Sequence, residues 1–93
     1  MSVVYSFRLY VSGDAPNSLK ARSNLAAIIE EYLDEGCTIE EVDTLKFPGR
    51  AMEEHVLVTP TLLRLHPLPV RRVVGNLSER KSVVEALGLA QTS

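Results

Sequence analysis

Residues 3 to 12 form the most constraining pattern in the sequence, because an apolar side chain occupies every second position from 3 to 11. A period of two over this length predicts a β-strand. One face carries Val3, Tyr5, Phe7, Leu9 and Val11. The other face is partly apolar and carries Val4, Ser6, Arg8, Tyr10 and Ser12. We therefore expect a strand in a sheet that is covered on both sides.

A helix is expected directly after this strand. Asn17 or Ser18 can cap its first turn, because a short side-chain oxygen accepts a free backbone N–H. Apolar residues then recur at helical spacing, and Gly36 suits the position after a helix end, so we predict a helix over 18–34. Residues 37–42 are typical of a second strand. A strand, a helix and a strand in close succession form a βαβ unit with parallel strands.

The second half of the chain is predicted to contain shorter elements. Phe47-Pro48-Gly49 is typical of a turn, and residues 50–55 are typical of a short helix. Apolar runs at 61–65 and 70–74 predict two antiparallel strands, which the proline-containing segment 66–69 joins in a stiff turn.

A final helix is expected after Ser78, which can cap it. Val83, Val84 and Leu87 form its predicted inner face, and Gly88 suits its end. The complete order is βαβ-α-ββα. This order predicts a single α/β domain over 1–93 with a thioredoxin-like arrangement of helices on a small sheet.

Composition excludes several classes of protein. The chain has 93 residues and a formal net charge of −2, which gives no general reason to expect binding to nucleic acid or to a membrane. The N-terminus begins a strand and lacks the charged start of a signal peptide. Cys37 is the single cysteine, which excludes an internal disulfide and Cys-x-x-Cys chemistry. A free thiol is typical of a reducing cytoplasm.

No catalytic or metal site is expected. A thioredoxin-like oxidoreductase needs thiols between the first strand and the first helix, and residues 13–18 contain none. Ser18 in this segment is interpreted as a helix cap. His55 and His66 are not joined by a cluster of ligands with metal spacing. Adjacent glutamates such as Glu40-Glu41 diverge on a strand or helix, so they do not predict paired catalytic carboxylates, and no cofactor is expected.

Basic residues allow two interpretations. Arg71-Arg72 lies in the fourth predicted strand, where alternation sends one side chain to each face. The pair is typical either of an edge strand that charge protects from pairing with other strands, or of a docking surface for an acidic partner. In the second interpretation, Lys20 and Arg22 on the first helix and Arg64 on the third strand belong to the same surface.

Three prolines lie within the segment 58–75, around its strand-like residues. Pro60 follows Thr59 at the position where thioredoxin-like folds begin the third strand with a cis-proline, and Pro67 and Pro69 follow in the predicted turn. Bonds before proline adopt both isomers and exchange slowly. The segment therefore predicts either two backbone arrangements that exchange slowly, or rigid turns and a blocked sheet edge.

Three segments together resemble the KaiB family: LYVSGDAPNS (9–18), VDTLKFPG (42–49) and VTPTLLRLHPLPVRRVVGNLSER (58–80). The resemblance covers almost the whole chain. It implies a cytoplasmic, non-catalytic protein that binds the hexameric ATPase KaiC, competes there with the sensor domain of the kinase SasA, and sequesters KaiA. It also implies two folds, which share residues 1–48 and differ over 49–93. One is a thioredoxin-like monomer, and the other is a rearranged βαββααβ form that assembles into dimers or tetramers.

Two departures from the family pattern carry expectations of their own. KaiB proteins commonly have Gly-Leu-Asp where this chain has Ala86-Leu87-Gly88. Alanine favours a helix interior by about 1 kcal/mol over glycine, so Ala86 and Gly88 predict a preference for the thioredoxin-like form. The sequence also ends at Ser93 without an acidic tail. This leaves open a paralogue in a stress pathway without a clock, and a SasA-type sensor domain is a further alternative.

Overall fold

The computed structural model describes residues 4–33 and 37–89. Its elements in chain order are β1 (Tyr5–Val11), α1 (Pro16–Tyr32), β2 (Cys37–Asp43), α2 (Pro48–Glu53), β3 (Thr61–His66), β4 (Arg71–Val74) and α3 (Arg80–Ala86). This is the predicted order βαβ-α-ββα. Among these residues, no helix is both long and apolar enough to cross a membrane.

The four strands form one sheet in the order β2-β1-β3-β4. β1 runs parallel to β2, as the βαβ unit predicted, and antiparallel to β3, while β3 and β4 are antiparallel. β1 is a central strand, and side chains on both of its faces are buried. Phe7, Leu9 and Val11 lie in the core beneath α1 and α3, and Tyr10 lies in a second core on the side of α2.

α1 begins at Pro16, two residues before the predicted start. The predicted caps Asn17 and Ser18 are wrong, because both residues lie inside the first helical turn and Ala15 is the N-cap without a side-chain bond. Proline suits this first turn, since its missing N–H has no partner there in any helix. The Ser18 hydroxyl instead accepts a hydrogen bond from the backbone N–H of Ser12 at 3.1 Å. Gly36, the predicted helix stop, lies outside the described residues.

α2 also begins at a proline, so the predicted turn at 47–49 is partly wrong: Pro48 and Gly49 already belong to the helix. In α3, Ser78 is not the cap. The helix begins at Arg80 after Glu79, and the Ser78 N–H donates to the Asn76 side chain at 3.0 Å. The predicted inner face of α3 is buried.

The prolines occupy the predicted positions around β3. Pro60 is buried immediately before the strand, and Pro67 and Pro69 lie in the connection to β4. The peptide bonds before all three are cis. Gly88 follows the end of α3 with a positive φ of 72°, which confirms the predicted glycine stop.

Candidate partner-binding surface

The end of the sheet where thioredoxin-like enzymes carry thiols holds hydroxyl groups here. The Ser12 Oγ lies 2.5 Å from the Thr59 Oγ1 and 3.3 Å from the Thr44 Oγ1. The Thr44 hydroxyl also donates to the Val11 carbonyl at 3.1 Å. These groups tie three loops together, and no histidine or lysine within the described ranges forms a hydrogen bond to them. The cluster is therefore built as a structural link between loops.

Cys37 lies at the opposite end of the sheet from this cluster. It pairs with Tyr5 at the start of β1, whereas Ser12 follows the end of the same strand. The residue is half-buried, and burial raises the pKa of its thiol. A raised pKa reduces the thiolate fraction, which is the opposite of what a reactive cysteine requires. In the part of the chain that the structure describes, no three potential ligands come together in a metal-binding group.

The predicted basic residues fall into separate environments. Arg22 lies on the side of α1 that faces β2, where it forms ion pairs with Glu41 at 2.7 Å and with Asp14 at 3.3 Å. Its guanidinium also donates to the Gly13 carbonyl. Lys20 is exposed on α1. Arg22 therefore stabilises the loop between β1 and α1, while Lys20 remains accessible to a partner.

Arg64 was predicted to belong to the docking surface, but a docking residue must be exposed and Arg64 is buried. It is 6% exposed and donates to the carbonyls of Leu87 at 2.7 Å and Pro69 at 2.6 Å. The C-terminal end of a helix carries unpaired carbonyls and partial negative charge, so a cation there is stabilised. Arg64 thus fastens the end of α3 and the β3–β4 connection to the sheet and is not accessible to a partner.

Arg71 and Arg72 point to opposite faces of the edge strand, as alternation predicted. Arg72 donates to the carbonyls of Glu54 at 2.6 Å and His55 at 3.1 Å, so it fastens the end of α2 as Arg64 fastens the end of α3. Arg71 lies opposite Arg64 in the ladder and is exposed. It forms no ion pair with any residue in 4–33 or 37–89. Arg71 is therefore the arginine of this strand that is available to a partner.

Three asparagines join the two halves of the chain, and no periodic pattern in the sequence indicates them. Asn24 on α1 donates to the Asn76 carbonyl at 2.8 Å, and the Asn76 amide donates to the Asn17 side chain at 3.2 Å. These bonds hold the β4–α3 loop against α1. Asn17 and Asn76 lie in two of the motifs that resemble the KaiB family, and this was the one feature of the sequence that could have indicated their importance.

Comparison with known families agrees with this fold. Residues 8–89 match the family model described as the KaiB domain. The chain belongs to the KaiB family. It is 42% identical over 85 residues to the circadian clock oscillator protein KaiB of Synechococcus elongatus, covering 91% of this chain and 83% of that protein. Identity to the KaiB of Prochlorococcus marinus strain MIT 9312 is 41%, covering 91% and 81%. The predicted resemblance to the KaiB family is confirmed.

Solved structures confirm the fold class of this KaiB-family chain. The N-terminal domain of SasA from Synechococcus elongatus superposes with a TM-score of 0.76 at 14% identity, covering all of this chain and 91% of that domain. Mitochondrial thioredoxin 3 from Saccharomyces cerevisiae gives a TM-score of 0.66 at 15% identity, covering 87% and 77%. The shared feature is the thioredoxin-like fold.

Proposed function

We propose that this KaiB-family protein is a non-catalytic regulator that docks on a KaiC-type ATPase and controls the timing of its phosphorylation or output. The observation that carries the proposal is the match of residues 8–89 to the KaiB domain. The absence of cysteine from residues 12–18 supports a role in binding over one in redox chemistry. The protein acts in the cytoplasm in this proposal.

The proposed docking surface lies on the side of the sheet covered by α1 and α3. Arg71 shares a face of β4 with Val73, and Val73 packs against the core beneath these helices. Lys20 is exposed on α1, on the same side of the sheet. Arg72 points to the opposite face of β4, and Arg22 is already paired with Glu41 and Asp14, so Lys20 and Arg71 carry the positive charge of this surface. Charges of this kind steer encounter and select an acidic partner.

A SasA-like kinase is the proposed competitor for the ATPase, and KaiA is a further proposed partner. The fold shared with the SasA N-terminal domain supports competition, because similar shapes can occupy similar sites.

The same likeness favours one alternative function, in which the chain is the sensor domain of a kinase. A kinase domain encoded in the same gene would decide for that alternative. A paralogue that serves a stress pathway without a clock is the third possibility.

We also propose that the thioredoxin-like monomer is the binding form, and that residues 49–93 rearrange in an oligomeric resting form. Ala86 inside α3 and Gly88 immediately after it support a preference for the thioredoxin-like form. Size-exclusion chromatography with backbone NMR shifts measures both the assembly and the fold. A dominant oligomer with a strand over residues 83–89 would contradict this preference.

Binding to the KaiC-type ATPase of the same genome tests the main proposal. The mixture is incubated for hours in both nucleotide states of the ATPase, and binding is measured by co-sedimentation. Lys20→Glu and Arg71→Glu are each expected to weaken binding about tenfold, which corresponds to 1.4 kcal/mol. Lys46→Glu makes the same change of charge outside the surface and is the control. Failure of the unmodified protein to bind in either nucleotide state would refute the proposal.

A further inference from the structure

β4 forms one edge of the sheet, and its outer side has no strand partner among the described residues. Alternate residues of such an edge direct their N–H and C=O groups outward, where another strand can pair with them. Exposed apolar side chains lie at its two ends: Val70, just before the strand, is 52% exposed, and Val74, its last residue, is 57% exposed. The arginines alone therefore do not protect this edge, and exposed apolar residues at both of its ends favour a contact.

A groove of about 360 Å³ lies beside this edge, between β4, the loop that follows it, and α3. Val73, Leu77 and Val83 contribute apolar lining, and Ser82 and Ala86 line the side formed by α3. A strand added to the edge directs alternate side chains to each face of the sheet. The groove can therefore receive a side chain of an added strand, as in other cases where a pocket beside a sheet edge gives specificity.

The groove is built from a fixed loop. The backbone carbonyl and the side-chain amide of Asn76 both form hydrogen bonds with residues of α1, and Leu77 is 4% exposed. Leu77 also adopts a positive φ of 65°, which a leucine holds only where the surroundings impose it. A site that is already ordered loses less conformational entropy on binding.

Charge around the groove selects the occupant. Residues 70–86 contain four basic residues and two acidic ones, a net charge of +2 in a chain whose total is −2. Arg80 pairs with Glu31, whereas Arg71 and Lys81 form no ion pair within the described ranges. Glu79 lines the groove itself. An occupant with acidic residues near Arg71 and an uncharged side chain near Glu79 therefore fits best.

A second copy of the chain fits less well. Its exposed edge strand β2 contains Glu40 and Glu41, which look complementary to the arginines of β4 in sequence. Glu40 is already paired with Arg8 at 2.6 Å and with Arg50 at 2.8 Å, and Glu41 is paired with Arg22. Since these carboxylates are neutralised within their own chain, β2 offers little net charge to β4.

We propose that β4 accepts an extended acidic segment of the partner ATPase as a fifth strand, with an uncharged side chain seated in the groove between β4 and α3. This inference rests on the proposed function, because it takes the KaiC-type ATPase as the partner. It adds a backbone-mediated mode of binding to the charged surface described above.

Hydrogen–deuterium exchange on the complex with the KaiC-type ATPase tests the added strand. Outward amides of residues 71–74 are expected to exchange about tenfold more slowly in the complex, because pairing adds hydrogen bonds that must open first. Ser82→Trp fills the groove and is expected to weaken binding at least about tenfold. Ser82→Ala leaves the groove open and is expected to bind like the unmodified protein. NMR spectra of both variants establish that each one folds.

The possible outcomes separate this inference from the proposed function. Slower exchange in β4 together with weaker binding of Ser82→Trp alone supports the added strand. Binding of the ATPase with unchanged exchange in β4, or with full affinity of a folded Ser82→Trp variant, overturns the inference and leaves the proposed function standing. Protection of β4 that grows with protein concentration in the absence of the ATPase identifies a second copy as the occupant and also overturns it. No binding of the ATPase at all overturns both.

Discussion

The two halves of the molecule are stabilised in different ways. In residues 4–47, a central strand pairs with β2 over seven residues, and a helix of 17 residues packs on the sheet. In residues 48–89, the helices have six and seven residues and β4 has four. Arginine and asparagine side chains fasten the ends and loops of these short elements. The two non-glycine residues with a positive φ, among those described, are both in this half.

This difference has a consequence for stability. Helices shorter than about 12 residues have little stability of their own, so α2 and α3 depend on contacts with the rest of the domain. The first half relies on buried apolar area and regular pairing, which many residues share. The second half also buries apolar side chains such as Leu62 and Leu87, but its short elements depend in addition on single polar side chains that bond to their ends. We therefore expect core substitutions in the first half to destabilise the whole domain. Substitutions of Arg64 or Arg72, whose side chains bond to the ends of α3 and α2, are expected to destabilise mainly those helices.

The largest effect is expected from the core of the first half. Phe7 is 1% exposed in the central strand, so Phe7→Ala is expected to lower the free energy of unfolding by about 3–5 kcal/mol. Urea denaturation followed by circular dichroism measures this change. Phe47→Ala removes the same side chain from a position that is 55% exposed and is expected to change the value by less than about 0.5 kcal/mol. Similar losses for both variants would refute the assignment of the core.

The next largest effect is expected at Arg64. Arg64→Met leaves the Leu87 and Pro69 carbonyls without their donor, which is expected to cost about 1–3 kcal/mol. Hydrogen exchange is expected to accelerate in α3 more than in β1 and β2. Arg71→Met, directly opposite in the ladder, makes the same change at an exposed site and is expected to have almost no effect on stability. Uniform acceleration throughout the chain would contradict a fastening role specific to α3.

The contrast between the halves also explains what the sequence could predict. Alternation in β1 and helical spacing in α1 arise from burial, so both elements and their parallel pairing follow from local pattern. The order of the second half follows too, since each short element has an apolar face. Helix starts were less predictable, because Pro16 and Pro48 open their helices without the side-chain caps that Asn17 and Ser18 suggested.

The fastening contacts could not be predicted from local pattern. Arg64 looks like a surface residue in the sequence, and its partner Leu87 lies 23 positions away. Asn24 and Asn76 are 52 positions apart. Contacts of this kind depend on where the chain folds back and leave no periodic signal, so the docking surface could be predicted only as a set of basic residues.

A smaller effect is expected at Gly88, beside the Arg64 contact. A Cβ at this position would lie 2.8 Å from the Arg64 Nη1, and the residue has a positive φ of 72°. Gly88→Ala is therefore expected to cost about 1–2 kcal/mol. Gly49→Ala is the control, since its Cβ meets no atom within 4 Å and alanine suits the helix. The cost is expected to shrink in an Arg64→Met background, and strictly additive costs would rule out a link between the two residues.

The smallest effect is expected where an ion-pair network crosses between the halves. Glu40 on β2 bonds to Arg50 on α2 and to Arg8 on β1, and these bonds lower its pKa from 4.5 to about 2. Above pH 4.5 this carboxylate is charged in the folded and the unfolded chain, so its stabilising contribution is complete. As the pH falls below 4.5, the unfolded chain takes up the proton first, and the contribution declines until it is lost near pH 2.

Glu40→Gln is therefore expected to be less stable than the unmodified protein at neutral pH, with a difference that shrinks as the pH falls from 4.5 toward 2. Because the network is exposed, the difference is expected to be small and to decrease with added salt. Urea denaturation at several pH values measures it. Glu30→Gln is the control, since Glu30 forms no ion pair in the described part of the chain. A difference that stayed constant across this pH range would mean that Glu40 contributes through packing alone, and that charge does not join α2 to the first half of the domain.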